Sequence, residues 1–190
     1  MMKNTASNDS SLVWTEQSRR TLLTTPVMTV TETESTASDG QKGNYIVMDA
    51  KDWAIVIPCS GTKFLMVKQW RHGEKALSIE FPGGVIETGE APEAAAAREL
   101  KEETGYTAGK MTKLGSLNPN PALMSNHVHV FLAEDLHKTG SQQLDSDEYV
   151  HYMELEQTEV LDSLGSPLCQ HALMSSAAAL YMIFRGMHRS

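Results

Sequence analysis

Three glutamates with the chemistry of metal ligands lie close together in the sequence, at Glu99, Glu102 and Glu103. An α-helix rotates by about 100° per residue, so Glu99 and Glu103 lie nearly in line and Glu102 flanks them. Like charges at this spacing each cost a helix roughly 0.2–0.5 kcal/mol, so stability alone does not favour them. Carboxylate oxygens suit Mg²⁺, whose coordination shell is usually completed by water and by substrate phosphates. The cluster predicts a metal–phosphate site; the alternative is a solvated acidic helix face, partly compensated by Lys101 and Arg98.

The residues around this cluster predict the elements that position it. Ala94–Ala97 are strong helix formers, Pro92 suits a first helical turn, and Gly105 suits a left-handed C-terminal cap. Upstream, Leu77–Glu80 reads as a short strand that runs into the turn Phe81–Gly84, whose glycines allow a close approach of backbone to a ligand. The unit is therefore predicted as strand, glycine loop and helix.

Further strands are predicted on both sides of this unit. Continuous apolar runs indicate strands buried on both faces at Trp53–Pro58 and Lys63–Gln69. After the helix, strands are expected at Met111–Leu117 and His127–Ala133.

This segment resembles the Nudix box, which reads glycine, five residues, glutamate, seven residues and then REUxEExGU, where U is a bulky apolar residue. The matching residues are Gly84, Glu90, Arg98, Glu99, Leu100, Glu102, Glu103 and Gly105, and Tyr106 is a mild departure. The resemblance implies an α/β fold, the α/β/α sandwich of Nudix hydrolases with a mixed sheet. It also implies hydrolysis of a nucleoside diphosphate linked to another group.

The resemblance also implies roles for the box residues. Mg²⁺, with Mn²⁺ as the alternative, is the expected cofactor. The predicted metal ligands are Glu99, Glu103, the Gly83 carbonyl and Glu102, which either ligates or orients. Glu102 and Glu103 are also predicted to be catalytic. Glu90 and Arg98 are expected to orient the ligands by ion pairing.

Residues outside the box are similar to the ADP-ribose pyrophosphatase branch of this family. Gln69-Trp70-Arg71 resembles its QYR-type element, in which the arginine binds substrate. Arg71 offers a planar, permanently charged fork to a diphosphate. Glu80 fits a position that this branch uses near the metal and the substrate. Pro121, fifteen residues beyond Tyr106, matches a proline of this branch. Arg71, Glu80 and Pro121 are the predicted substrate-binding residues, although a surface arginine and an ordinary loop proline are the alternatives.

A second acidic group contains Asp145, Asp147 and Glu148, just before the predicted strand Tyr149–Leu155. In the resembling branch an acidic loop at this place supplies the base that activates water or helps to hold metal. We expect Glu148 to be the catalytic base, with Asp147 as the second candidate, because both are close to the strand that would fix their direction. The alternative is a solvated acidic loop.

Composition restricts the possible partners. The chain has 190 residues, 41% of them hydrophobic, so it can bury one sizeable core. A net charge of −8 argues against a nucleic-acid partner, because phosphates would be repelled without a basic stripe. The apolar stretch Ala172–Phe184 is too short to span a bilayer, and the polar N-terminus has no signal-peptide pattern. We therefore expect no membrane partner and a cytoplasmic location.

Cysteine and histidine patterns carry little functional signal. Cys59 and Cys169 match no metal or redox spacing and are expected to be reduced. His127 and His129 alternate on one predicted strand and could form a metal pair. A pair satisfied within the protein is favoured, because no third nitrogen ligand has suitable spacing.

The N-terminal segment suggests an assembly. Residues 1–12 are expected to be a disordered tail, residues 13–49 an N-terminal β arm, and residues 50–190 the Nudix hydrolase domain. The segment Trp14–Met48 resembles N-terminal strands that cross to a partner subunit. Edge strands need cover for their apolar faces. We therefore expect a homodimer with Trp14, Trp53 or nearby residues at the interface.

The expected substrate is ADP-ribose or a related nucleoside diphosphate sugar. GDP-mannose, a dinucleoside polyphosphate and a damaged nucleoside triphosphate are alternatives, and coenzyme A is less favoured because the upstream signature of that subgroup is missing. A binding or regulatory module that recognises ADP-ribose without cleaving it is an alternative of another class. Catalysis is favoured over it, because such modules commonly lose box carboxylates that this chain retains.

Overall fold

A computed structural model describes residues 9–186 of the chain. It divides into two compact units. One contains the described residues through Lys51 together with Asn120–Asn126, and the other contains Asp52–Pro119 and the described residues from His127 onward. The predicted disordered tail, residues 1–12, lies largely outside the described residues, and a single 3-10 turn covers Asp9–Leu12.

The N-terminal unit is a three-stranded antiparallel sheet in the order β1-β2-β3. Its strands are β1 (Trp14–Thr24), β2 (Met28–Ala37) and β3 (Lys42–Ala50). Threonines and serine on one face of β2 are buried, whereas every residue of β1 is exposed. The segment Asn120–Asn126 joins this sheet, because Met48 N–H donates to the Leu123 carbonyl oxygen at 2.7 Å.

The second unit contains a seven-stranded mixed sheet, whose main path is β10-β5-β4-β9-β8. Its strands are β4 (Trp53–Ser60), β5 (Lys63–Arg71), β6 (Ala76–Glu80), β7 (Gly83–Val85), β8 (Tyr106–Leu117), β9 (Val128–Lys138) and β10 (His151–Glu156). The β4–β9 pair is parallel, and the other named pairs are antiparallel. β6 pairs with β5 and β7 pairs with β4, so the glycine loop that joins β6 to β7 connects two strands of the sheet.

Three helices cover the two faces of this sheet, α1 (Pro92–Thr104), α2 (Gln157–Ser163) and α3 (Ala172–Phe184). Successive side chains of a strand point to opposite faces. Ala54 and Val56 of β4 therefore pack with Ala96 and Leu100 of α1. Their neighbours on the strand, such as Ile57, pack on the other side with residues of α2 and α3. The predicted α/β/α sandwich with a mixed sheet is confirmed.

The central strands were predicted accurately because they are apolar on both faces, but the paired outer strands are longer than predicted. β8 begins at Tyr106 rather than Met111, and β9 continues to Lys138 rather than ending at Ala133. These extensions pair with each other across β8 and β9, and much of their surface is exposed. Long-range pairing therefore stabilises residues whose own pattern is polar. Among residues 9–186, no helix has the length and apolar character needed to cross a membrane.

Candidate functional site

Helix α1 presents one glutamate on its buried face. Ala96 and Leu100 are fully buried against the sheet, and Glu103 follows them on the same side with 4% of its surface exposed. The helix is fixed at its ends by Pro92 in the first turn and by Gly105, whose φ of 74° is left-handed and whose N–H donates to the Lys101 carbonyl. A carboxylate where an apolar residue would otherwise pack is costly unless it is bonded, and such groups concentrate at functional sites.

The glycine loop supplies the hydrogen bond to this carboxylate. The Gly83 N–H donates to Glu103 Oε2 at 2.9 Å. Burial raises the pKa of Glu103 to about 8, and the charges of Glu99 and Glu148 act in the same direction, against the lowering effect of the Gly83 bond. The ionised forms of these carboxylates therefore repel one another more than the hydrogen bonds of the site compensate, and Glu103 holds a proton near pH 7. The proposed role of the Gly83 carbonyl as a metal ligand stays a prediction.

Close packing explains why two glycines follow Pro82. A Cβ atom on Gly83 would lie 2.2 Å from the Ala54 carbonyl oxygen, and one on Gly84 would lie 2.4 Å from Glu99 Oε1. β7 pairs with β4 at Ile55–Gly83 and Ala54–Gly84. The loop backbone therefore lies against β4 on one side and against a carboxylate of α1 on the other.

Arg98 binds most of the remaining acidic groups of the helix. Its Nε and Nη2 donate to Glu90 at 2.9 and 3.0 Å, and its Nη1 donates to Glu99 at 2.8 Å and Glu102 at 2.9 Å. Nη2 also donates to the Val85 carbonyl at 3.0 Å. All five guanidinium N–H groups can thus be accounted for. The positions of Arg98 and Glu90 are compatible with a role in orienting the carboxylates, and that role stays a prediction.

The carboxylates still repel one another in spite of Arg98. Burial raises the pKa of Glu99, and the charges of Glu102 and Glu148 add to that effect, while Arg98 opposes it. Among the described residues, no group of three or more His, Cys, Asp or Glu side chains has the spacing of a bound metal. The donor set nevertheless fits a hard divalent cation, because it offers several carboxylate oxygens and excess negative charge.

The acidic loop contributes Glu148 to this cluster, since its charge acts on both Glu99 and Glu103. Backbone and side chain fix a turn here: Glu148 N–H donates to the Asp145 carbonyl at 3.1 Å, and Asp145 N–H donates to Glu148 Oε2 at 3.2 Å. Asp147 is exposed in the same turn. This arrangement favours Glu148 over Asp147 as the base, and neither assignment is tested by it.

One residue that the sequence analysis missed holds this loop in place. The Gln142 amide donates to the Glu103 carbonyl at 2.6 Å and to the Val150 carbonyl at 3.0 Å. The neighbouring Gln143 N–H donates to the Glu102 carbonyl at 2.8 Å. These donors satisfy carbonyls at the end of α1, which have no partner within the helix. A lone glutamine has no sequence pattern that would have predicted this contact.

Arg71 and Glu80 form a bidentate ion pair on the side of β5 and β6 that faces α1. Arg71 Nε donates to Glu80 Oε1 at 2.8 Å, and Arg71 Nη2 donates to Oε2. Glu80 is 1% exposed, whereas the arginine side chain reaches the surface. The charge of Arg71 acts on Glu103, so this pair and the α1 carboxylates belong to one electrostatic cluster.

The remaining candidates lie elsewhere. Pro121 is exposed in the segment Asn120–Asn126 of the N-terminal unit, so its role in substrate binding stays a prediction. His129 bonds Asp52 through Nε2 and Ser116 through Nδ1, each at 2.9 Å, and His127 N–H donates to Asp52. The His129 ring is thus satisfied within the protein, whereas the bond of His127 is made by its backbone. Cys59 and Cys169 are free and buried, as expected of reduced core residues.

The Glu80–Arg71 pair predicts a loss of stability in acid. Burial would raise the pKa of Glu80, but hydrogen bonding and charge from Arg71 hold it below the usual value of 4.5. The carboxylate therefore stabilises the folded state above that value, and the contribution disappears as the pH falls through the folded pKa. We expect Glu80→Gln to lower the free energy of unfolding by about 1.5–3 kcal/mol near neutral pH and to flatten its decline in acid.

Urea unfolding of both proteins between about pH 6 and pH 3 measures this difference. The exposed Glu74→Gln serves as the control and should follow the wild-type curve. Parallel curves for Glu80→Gln and the wild type would contradict the prediction.

Comparison with known proteins identifies the family. A family model described as the NUDIX domain matches residues 50–167. An ADP-ribose pyrophosphatase of Bacillus subtilis (strain 168) is 45% identical over 105 residues, which are 55% of this chain and 57% of that protein. A methanol dehydrogenase activator of Bacillus methanolicus is 36% identical over 109 residues, which are 57% of this chain and 59% of that protein. The chain thus spans little more than half the length of these relatives.

A solved structure shows the same fold over most of the chain. The crystal structure of an ADP compounds hydrolase superposes with a TM-score of 0.80 at 24% sequence identity, covering 92% of this chain and 97% of that one. The family model spans well over half of this sequence, including the glycine loop, α1 and the acidic loop. The chain therefore belongs to the NUDIX domain family.

Proposed function

We propose that this protein is a Nudix hydrolase that cleaves the pyrophosphate bond of ADP-ribose or a related nucleoside diphosphate sugar. The products would be a nucleoside monophosphate and a sugar phosphate. The observation that carries the proposal is the buried carboxylate of Glu103, held by the glycine loop beside Glu99 and within electrostatic range of Glu148 and Arg71. The similarity to an ADP-ribose pyrophosphatase supports the choice of substrate class.

The residues that would hold Mg²⁺ or Mn²⁺ are Glu99, Glu103, Glu102 and the Gly83 carbonyl. A divalent cation bound there would neutralise phosphate charge and lower the pKa of a water molecule. Relief of the repulsion that raises the pKa values of Glu99 and Glu103 would favour its binding. The repulsion among the carboxylates thus favours binding of a cation, although it lowers the stability of the folded protein.

The protein's own groups would complete the reaction. Glu148 accepts the proton of the attacking water, because its exposed carboxylate lies beside the cluster and outside the Arg98 network. Arg98 and Glu90 keep the α1 carboxylates oriented. Arg71 donates to the diphosphate with the part of its guanidinium that Glu80 does not occupy.

A substrate screen tests the function. The protein is incubated with Mg²⁺ or Mn²⁺ and ADP-ribose, GDP-mannose or a dinucleoside polyphosphate, and the products are separated by chromatography. We expect AMP and ribose phosphate from ADP-ribose, with slower turnover of the others. Binding of ADP-ribose without turnover of any compound would contradict the enzyme assignment and favour a regulatory module.

Glu103→Gln tests the buried carboxylate directly. We expect kcat to fall by about 10²-fold or more, because glutamine retains an acceptor for the Gly83 N–H but cannot supply the charge. The melting temperature near pH 7 should change little, since a carboxyl group with a pKa of about 8 is mostly protonated there and glutamine is its neutral counterpart. Glu93→Gln, on an exposed position of the same helix, is the matched control. A nearly normal rate for Glu103→Gln would remove this residue from the proposed metal site.

We also propose that the N-terminal unit forms a homodimer. Its exposed apolar side chains include Leu12, Val13, Trp14, Leu22, Leu23, Val27, Tyr45 and Ile46. Such a surface on a sheet marks an interaction site. Trp53, in contrast, packs against the core of the second unit, so Trp14 is the better interface candidate.

Light scattering measures the assembly. We expect a dimer for the wild type, and a monomer for Leu23→Asp, because a charge on the apolar surface opposes burial. Gln17→Asp, at a polar exposed position of the same strand, should remain dimeric. A stable, active wild-type monomer would refute this proposal.

A further inference from the structure

The acidic loop, which joins β9 to β10, is anchored to the C-terminal end of α1. Gln143 N–H donates to the Glu102 carbonyl at 2.8 Å, and Gly140 N–H donates to the Gly105 carbonyl at 3.2 Å. The last carbonyl groups of a helix have no partner within it, so they are available to a neighbouring segment. The first part of the loop therefore follows the end of the helix that carries the proposed metal ligands.

The side chain of Gln142 joins this helix end to the far end of the loop. Its Nε2 donates to the Glu103 carbonyl at 2.6 Å and to the Val150 carbonyl at 3.0 Å. Carbonyl oxygens only accept, so the amide nitrogen rather than the amide oxygen must face them, an assignment inferred from the hydrogen bonds. Both N–H groups of the amide are thereby used. Residues 143–149 therefore form a loop whose two ends meet at one amide group.

Glu148 lies inside this closed segment, two residues before Val150, which is buried. Its N–H donates to the Asp145 carbonyl at 3.1 Å, and its Oε2 accepts from Asp145 N–H at 3.2 Å. The carboxylate is thus bonded to its own turn, and Gln142 bonds the end of that turn to the backbone of Glu103. The charge of Glu148 also acts on the Glu103 carboxyl group, which agrees with this placement.

We propose that Gln142 is a positioning residue that holds the carboxylate of Glu148 at a fixed place relative to Glu103. The proposal rests on the proposed function, in which Glu148 is the base. A general base must lie within hydrogen-bond reach of the proton that it accepts, so a small displacement lowers the rate sharply. Gln142 acts through Glu148 and not on the substrate. Loss of its amide should therefore lower kcat more than it changes KM.

The strands at the base of the loop do not depend on Gln142. Lys138, the last residue of β9, donates through Nζ to the Tyr152 hydroxyl, and Nζ lies 4.5 Å from the centre of that ring. β10 also pairs with β5 from His151 to Glu156. Removal of the Gln142 amide should therefore loosen the loop while β9, β10 and α1 stay in place.

Two variants of Gln142 test the proposal by steady-state kinetics with ADP-ribose. Gln142→Met has a similar length but no donor, and Gln142→Asn keeps an amide that is one methylene too short to reach both carbonyls. We expect Gln142→Met to lower kcat by about 10- to 100-fold and Gln142→Asn to lower it less, with KM nearly unchanged in both. Gln143→Met, an exposed neighbour, is the matched control and should keep the wild-type kcat. A wild-type kcat in Gln142→Met would overturn the proposal.

A double-mutant cycle separates positioning of the base from a general loosening of the site. If Gln142 acts by holding Glu148, then Gln142→Met should lower kcat no further in a protein that already carries Glu148→Gln. Independent structural damage would instead multiply the two losses. Fully multiplicative losses would therefore overturn the positioning role.

Amide hydrogen exchange measured by NMR does not depend on turnover. The N–H groups of Gln143 and Glu148 are bonded within the anchored loop, so their protection factors report how firmly it is held. We expect lower protection of both groups in Gln142→Met and no such change in Gln143→Met. Unchanged protection in Gln142→Met would overturn the proposal. If the wild type hydrolysed none of the nucleotides, the proposed function would fail, while this measurement would still decide whether Gln142 holds Glu148.

Discussion

The hydrogen bond from the Gly83 N–H to Glu103 Oε2 connects the glycine loop to helix α1, and the rest of the site depends on it. It joins residues 20 positions apart in sequence. Burying a carboxylate is unfavourable, and the pKa of about 8 shows that this single N–H does not offset the cost. The fold thus brings together, where α1, the loop and the acidic turn meet, carboxyl groups whose ionised forms repel one another. A protein under selection for stability alone would place an apolar residue there.

Arg98 makes this concentration of charge compatible with a folded helix. It lies among Glu90, Glu99 and Glu102, and it also binds the Val85 carbonyl beyond the glycine loop. One side chain therefore offsets repulsion within the helix and fixes the loop against it. Only arginine has enough donors in a rigid fork to do both. The cluster of Glu99, Glu102 and Glu103 is consequently not a solvated helix face, because its side chains are hydrogen-bonded in defined directions and Glu103 points into the protein.

Strand β4 determines where these parts come together. Its alternate residues pack in the two cores, on α1 and on α2 with α3. Along its edges it pairs with β7 and with β9. The glycine loop is held by the first of these pairings, and α1 by the packing of Ala96 and Leu100 on the same face of the sheet as Ala54 and Val56. The geometry of the carboxylate cluster is therefore fixed by buried residues of β4 and α1, while Glu148 and Arg71, the groups expected to contact water and substrate, reach the surface.

Local patterns in the sequence were sufficient for helix α1 and for the buried strands β4 and β5, because helix propensity and apolar runs act over short distances. The α/β/α class followed from the resemblance to the Nudix box. Local patterns were not sufficient for the start of β8, the place of Asn120–Asn126 in the N-terminal unit or the contacts of Gln142. Each of these depends on partners far away in the chain. The sequence by itself determined that three carboxylates and an arginine lie on one helix after a glycine loop. Only the tertiary structure decided that Glu103 is the buried one, because the packing of Ala96 and Leu100 on the sheet sets the rotation of the helix.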